Sequence, residues 1–96
     1  MFIVIISFPR IKEGKDAEFQ KWFESSNQAY AGFQGFISRK LLKPLKAGNY
    51  AAIVEFEDQA GFKAMHSSST RDKEAEQVMP MFDGETTPKF YEVISG

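Results

Sequence analysis

The chain has 96 residues, no cysteine and one histidine, with 12 basic and 13 acidic residues giving a formal net charge of −1. This bounds it to one domain, residues 1–96, and excludes disulfides, zinc–thiolate sites, thiol nucleophiles and Cys-held iron–sulfur clusters. No run of Lys or Arg gives the electrostatic footprint of a nucleic-acid partner. Ten Phe, three Tyr and one Trp are large side chains for a fold that buries only roughly 60–65% of its unfolded surface.

The opening run 2–8, "FIVIISF", is β-branched and aromatic and predicts a strand, with Pro9 tolerable at its end. The run is too short to span a bilayer and has no basic flank before it or cleavage site after it. It predicts a soluble, cytoplasmic protein with no membrane partner. "IKEGKD" is a polar turn. From there Phe19, Phe23 and Tyr30, with Trp22, Ala29 and Phe33 alongside, recur at helical steps, and Lys15, Glu18, Lys21, Glu24 and Gln28 fall on the other side. The spacing predicts a helix over 15–31, with Gly32 at its C-cap. Residues 34–43, "QGFISRKLLK", and 49–57, "NYAAIVEFE", read as the second and third strands, and the turn between them implies a hairpin. Asp58 is a candidate N-cap for a helix over 59–67. The serine run breaks that helix, and Ser69 or Thr70 would cap a further short one ending near Val78, before Pro80. "FDGETTP" reads as a loop and 89–94, "KFYEVI", as the last strand. The class is α+β, a ferredoxin-like β-α-β-β-α-β order with an antiparallel sheet.

Strand one is apolar on both faces, with Phe2, Val4, Ile6 and Phe8 on one and Ile3 and Ile5 on the other. Strand three repeats the pattern through Ala51, Ala52, Ile53, Val54 and Phe56. Helices cover one face of such a sheet, and a face open to water would alternate with polar residues. Burying an extra ~500 Å² of apolar surface contributes roughly 12 kcal/mol before the costs of association. A second copy, packed face to face about a two-fold axis, is the economical cover, so the sequence predicts a homodimer; the plain alternative is that these strands are merely β-prone.

This element order, with "AGFQGFISRKLLKPL" and "YAAIVEFEDQAGFKAMHSSS", resembles the antibiotic biosynthesis monooxygenase family of dimeric α+β barrels. The likeness is carried by the "GFQGF" step into strand two, the "LLKP" at its end, the "FEDQAGF" strand-to-helix junction and the "FKAMHSSS" run, and it covers nearly the whole chain. These motifs speak to the fold more than to the reaction. The resemblance implies a cofactor-independent monooxygenase acting on an aromatic or quinol-like small molecule between sheet and helices. Haem-degrading enzymes and domains without known activity share the family, so a ligand-binding or stress-associated domain of the same fold is the alternative. The haem branch implies an Asn late in strand one, a Trp on helix two and a His about ten residues further. Those positions hold Ser7, Met65 and Ala75 here, so no cofactor is expected and haem is disfavoured.

His66 is the candidate catalytic group, as acid/base or orienting residue, because an imidazole titrates near neutrality. Its plain alternative is a half-exposed side chain at a helix end. Trp22, Phe23 and Met65 are candidate pocket walls or plain core. Asn27 and Tyr30, one turn along, would offer polar handles or serve as caps. Arg39 pairs with a substrate anion, with an acid across the dimer, or with a surface carboxylate. Tyr91 offers a hydroxyl or packs across strands, and Ser7 is a weak pocket residue. Asp72, Glu74 and Glu76 read as a solvated charged face. No His/Asp/Glu set has metal spacing, and no glycine-rich phosphate loop is present.

Overall fold

The computed structural model describes residues 1–96. The elements are β1 (Phe2–Ser7), β2 (Arg10–Ile11), α1 (Asp16–Tyr30), β3 (Phe36–Leu42), β4 (Ala51–Phe56), α2 (Gln59–His66), α3 (Ser69–Val78), a 3-10 turn (Met79–Met81), β5 (Phe82–Asp83) and β6 (Thr87–Glu92). Strands β3, β4, β1 and β6 lie side by side in that order, all antiparallel, and β2 pairs with β5 in a small second sheet. This is the predicted α+β, ferredoxin-like arrangement. No helix is long and apolar enough to cross a membrane.

Side-chain alternation decides which residues meet the helices. On β1, Val4 is fully buried and Phe2 and Ile6 flank it; on β4, Ala52, Val54 and Phe56 are at most 1% exposed. Strand β3 has an irregularity between Phe36 and Ser38 that sets Arg39 opposite Val54 and Leu41 opposite Ala52. An arginine is thereby placed on the helix side of the sheet. Helix α1 lays Phe19, Trp22, Phe23, Ser26 and Tyr30 on the sheet, the three- and four-residue steps of one helical stripe.

The core forms two clusters. One gathers Phe8, Phe19, Trp22, Phe23, Ala52, Val78, Met81 and Phe82, and the other Val4, Tyr30, Val54, Phe56, Phe62 and Met65. Phe19 is fully buried, with ring centroids 5.1 Å from Phe8, 5.2 Å from Tyr50 and 5.9 Å from Trp22. Asp58 caps α2 as predicted, its side chain accepting from the Gly61 N–H at 2.8 Å. At Gly61 a Cβ would stand 2.8 Å from the Gln34 carbonyl oxygen, so α2 touches the 32–35 turn backbone to backbone.

Several boundaries differ from the sequence reading. The α3 cap is Ser68, whose hydroxyl accepts from the Arg71 N–H, rather than Ser69 or Thr70. Helix α1 ends at Tyr30 with Ala31 still right-handed, and the left-handed turn falls on Gly35, not Gly32. The last strand runs Thr87–Glu92 instead of 89–94. Pro88 is tolerated there because β6 is an edge strand, hydrogen-bonded only to β1. Part of the predicted 82–88 loop is β5, too short for any period to reveal it.

The face of the sheet away from the helices carries Ile3, Ile5, Ala51, Ile53, Leu42 and Tyr91, interleaved with Ser38, Lys40, Glu55 and Lys89. Ile3, Ile5 and Ile53 are only partly buried, while Leu42 and Tyr91 are exposed.

Candidate active site

A cavity of about 380 Å³ opens between the sheet and the helices, a size within the usual range for small-molecule sites. It lies between the two core clusters and takes walls from both. Phe8, Trp22, Val78 and Phe82 come from one; Tyr30, Val54, Phe62 and Met65 from the other; Ile6 and Ala75 complete the apolar surface. Arg39 and Tyr30 supply polar groups, and Arg71, Met79, Gly84, Glu85 and Thr86 are the remaining lining residues.

Arg39 is the most constrained side chain in the cavity. Its Nη1 donates to Ser26 Oγ at 2.5 Å and to Asn27 Oδ1 at 2.8 Å, and the Asn27 amide donates back to the Arg39 carbonyl at 3.1 Å. Its guanidinium carbon lies 4.0 Å from the Phe23 ring centroid, 4.9 Å from Tyr30 and 5.5 Å from Trp22. Aromatic faces attract a cation by their quadrupole, more strongly where water is excluded. No carboxylate lies within ion-pair distance; the chain's ion pairs are Arg10–Asp83 and Lys15–Glu18. Burial lowers the Arg39 pKa to about 10, with Tyr30 and Glu74 opposing the shift, so the side chain stays cationic at neutral pH.

Tyr30 is 5% exposed, and its hydroxyl makes no hydrogen bond within the chain. No buried polar side-chain atom lacks a partner, so that oxygen is not sealed away, and Tyr30 lines the cavity. Burial raises its pKa, an effect that the Arg39 charge partly offsets. The hydroxyl therefore stays protonated and serves as a donor. Trp22 Nε1 donates to the Glu74 carbonyl at 3.0 Å and ties α1 to α3. Glu74 is 7% exposed, unlike Asp72 and Glu76, which corrects the solvated-face reading for that residue. Arg71, Glu74, Ala75 and Val78 are spaced as one inward stripe of α3, a signal that was present in the sequence.

The structure brings together Trp22, Phe23, Asn27, Arg39 and Met65 of the predicted residues. Three others lie elsewhere. Ser7 is exposed and, alternating with Ile6, sits on the far face of the sheet. Tyr91, opposite Ile3 and 52% exposed, is on that far face as well. His66 is exposed and not among the cavity's lining residues; its ring stacks on Phe62 at 5.5 Å, the flank that its four-residue spacing predicted. Partial burial lowers its pKa, the Arg71 charge adds to that, and Asp72 opposes it. No group of three His, Cys, Asp or Glu side chains is placed to hold a metal ion. The arrangement can hold a planar, electron-rich molecule, favour its anionic form through Arg39, and donate a hydrogen bond from Tyr30.

The family model for antibiotic biosynthesis monooxygenase matches residues 1–76, a span that stops within α3 and leaves the lining residues 78–86 outside. None of the curated proteins matches the sequence. Several solved structures share the fold. SnoaB, a cofactor-independent oxygenase from Streptomyces nogalater, aligns with a TM-score of 0.78 at 18% identity over 99% of this chain and 92% of that one. MhuD, a haem-degrader from Mycobacterium tuberculosis with two haems bound in its active site, aligns at 0.79 and 21% identity, covering 100% and 98%. A protein of unknown function from Nitrosomonas europaea aligns at 0.81 and 14% identity, covering 99% and 90%. Identities this low establish the fold and leave the reaction to be argued from the site.

Proposed function

The chain belongs to the antibiotic biosynthesis monooxygenase family, and from that premise we propose that it oxygenates a small planar aromatic or quinol-like molecule in the cavity, without metal or flavin. The observation that carries this reading is the pairing of an aromatic-walled chamber with the Arg39 cation and the Tyr30 hydroxyl. An activated CH₂ or phenolic group loses its proton more easily beside a desolvated cation, because the cation stabilises the charge that develops. The Tyr30 hydroxyl donates to the resulting oxyanion, and Glu85, the carboxylate among the lining residues, accepts the proton. The substrate anion passes one electron to O₂, the radical pair joins as a C–O–O⁻ peroxide, and protonation with loss of water leaves C=O. The balance is CH₂ + O₂ → C=O + H₂O, so the substrate supplies every electron. Walls such as Trp22, Phe62 and Met65 exclude water that would quench the anion.

A haem fits these residues poorly. Its iron would need an axial side chain; Ala75 faces the cavity, and the single imidazole is outside it. A second copy of the chain is the proposed cover for the apolar residues of the far face, giving the homodimeric barrel that the sequence predicts.

The alternative reading is a binding domain without turnover. It is favoured by one observation, that His66 stands outside the cavity. Oxygen uptake with a panel of anthrones and quinols separates the two. The oxygenase reading expects uptake that stays unchanged in His66→Ala and falls by about 100-fold in Glu85→Gln, the low end for loss of a general base. Absence of uptake across the panel, with ligands still bound, establishes the binding domain instead.

A further inference from the structure

We propose that the free edge of the Arg39 guanidinium is a carboxylate clamp, so that the ligand of this cavity is an aromatic carboxylic acid bound as its anion. The inference rests on the reading above and deepens it, since it concerns the same cavity and the same guanidinium, and it adds what the free edge of that group would hold.

An arginine presents five N–H donors in a fixed plane. Both donors of Nη1 are used, on Ser26 and Asn27. Nε and Nη2 make no hydrogen bond within the chain, and neither is sealed away, because no buried side-chain nitrogen lacks a partner. These two atoms lie on one edge of the plane and form the fork that takes both oxygens of a carboxylate in parallel. The broad face of the guanidinium is held by Phe23 at 4.0 Å, so the plane is fixed and its open edge is preorganised. A second copy of the bond pattern, Asn27 Nδ2 to the Arg39 carbonyl at 3.1 Å, locks the same residue from its backbone.

Charge argues the same way. A desolvated cation is costly unless it is paired. Arg39 has aromatic faces and two neutral acceptors but no carboxylate within 4.0 Å. Arg71 lines the cavity as well and likewise makes no ion pair, which gives the chamber a second cation against Glu85. The apolar walls Trp22, Phe62 and Phe82 accept the ring that carries the acid. A lysine at position 39 would keep the charge and lose the fork, and that difference isolates the claim.

The test uses two probes of one shape, 2-naphthoate and the neutral 2-naphthalenemethanol, titrated at pH 7 into the wild-type protein, Arg39→Lys and Asn27→Asp. Calorimetry gives the affinity, and the emission of Trp22, the chain's single tryptophan, reports binding at the cavity wall. Wild type is expected to bind naphthoate at least about 10-fold more tightly than the alcohol. Arg39→Lys should weaken naphthoate by about 10–100-fold, the range for losing a hydrogen bond to a charged group, and leave the alcohol unchanged. Asn27→Asp places a carboxylate on Nη1 and should weaken the acid alone, which covers the case in which Arg39→Lys fails to fold. Equal affinity of the two probes, naphthoate binding indifferent to both substitutions, or no naphthoate binding at millimolar concentration overturns the clamp. Acid binding without any oxygen uptake sinks the oxygenase reading and leaves the clamp standing; uptake with neutral anthrones together with no naphthoate binding does the reverse.

Discussion

Along β1 and β4, neighbouring residues live in different surroundings. Val4, Ala52 and Val54 lie under the helices at no more than 1% exposure, while Ile3, Ile5 and Ile53 turn the other way and stay partly open. Both sets are aliphatic, and only one has a helix to meet it. The covered side is itself not packed solid. Its side chains gather in two clusters, and the space between them is the chamber that holds Arg39. Apolar composition thus goes to three places in one small domain: a filled core, the walls of a hollow that holds Arg39, and a face that no helix covers. Which place a residue takes depends on its neighbours across the layer rather than on its own hydropathy.

The contrast can be broken most severely at its filled part. Phe19→Ala removes a ring with no exposure and several aromatic neighbours. The expected loss is about 3–5 kcal/mol, read as a fall in Tm of more than about 10 °C in a domain of this size. A shift of a degree or two would mean that the cluster repacks and is not a rigid wall for the chamber.

On the open side the expected effect is on assembly. Ile53→Lys puts a charge at the centre of the far face, where it points away from the helices. The protein should become monomeric at micromolar concentration by light scattering, with intrinsic stability changed by about 1 kcal/mol or less, as for a surface substitution. A wild-type protein that is already monomeric, or a variant that remains dimeric, removes the face-to-face pairing.

The smallest effect belongs to His66, at the C-terminal end of α2. Its folded pKa is lowered, chiefly by burial and then by the Arg71 charge. The unfolded chain therefore binds the proton more readily, so the stability linked to this group is fully present above pH 6.5 and declines as pH falls through the lowered value. Denaturant midpoints measured between pH 5 and 7.5 should slope upward with pH in the wild type and flatten in His66→Ala. Identical slopes would show that the imbalance lies in other groups.

Much of this was legible in the residues. Hydrophobic periodicity placed α1 and the four main strands within about two residues, because each buries a full stripe or face and the pattern is long enough to read. The exceptions have separate causes. Thr87 and Pro88 look like loop residues, yet an edge strand needs no N–H from Pro88 on its open side. Strands β2 and β5 are set by a long-range pairing of Arg10 with Asp83 and Ile11 with Phe82, which local pattern does not encode. For the site, the aromatic walls and Arg39 were visible as residue types. The irregularity at Phe36–Ser38 that puts Arg39 on the helix side was not, whereas the burial of Glu74 follows the inward stripe of α3 that the spacing of Arg71, Glu74, Ala75 and Val78 carries. His66 drew notice as the only imidazole, but being unique in composition says nothing about where a side chain points.

The contact at Gly61 bears on how the chamber could change its dimensions. Helix α2 passes the Gln34 carbonyl so closely that a Cβ at Gly61 would stand 2.8 Å from it, and the next residue along, Phe62, together with Met65, forms one wall. Neither Gly61 nor Gln34 lines the hollow itself. A single methyl group introduced at Gly61 would press on both the Gln34 carbonyl and the Phe56 ring, so the helix that carries Phe62 and Met65 would have to give way, and the shape of the hollow would change without a substitution at any residue that lines it.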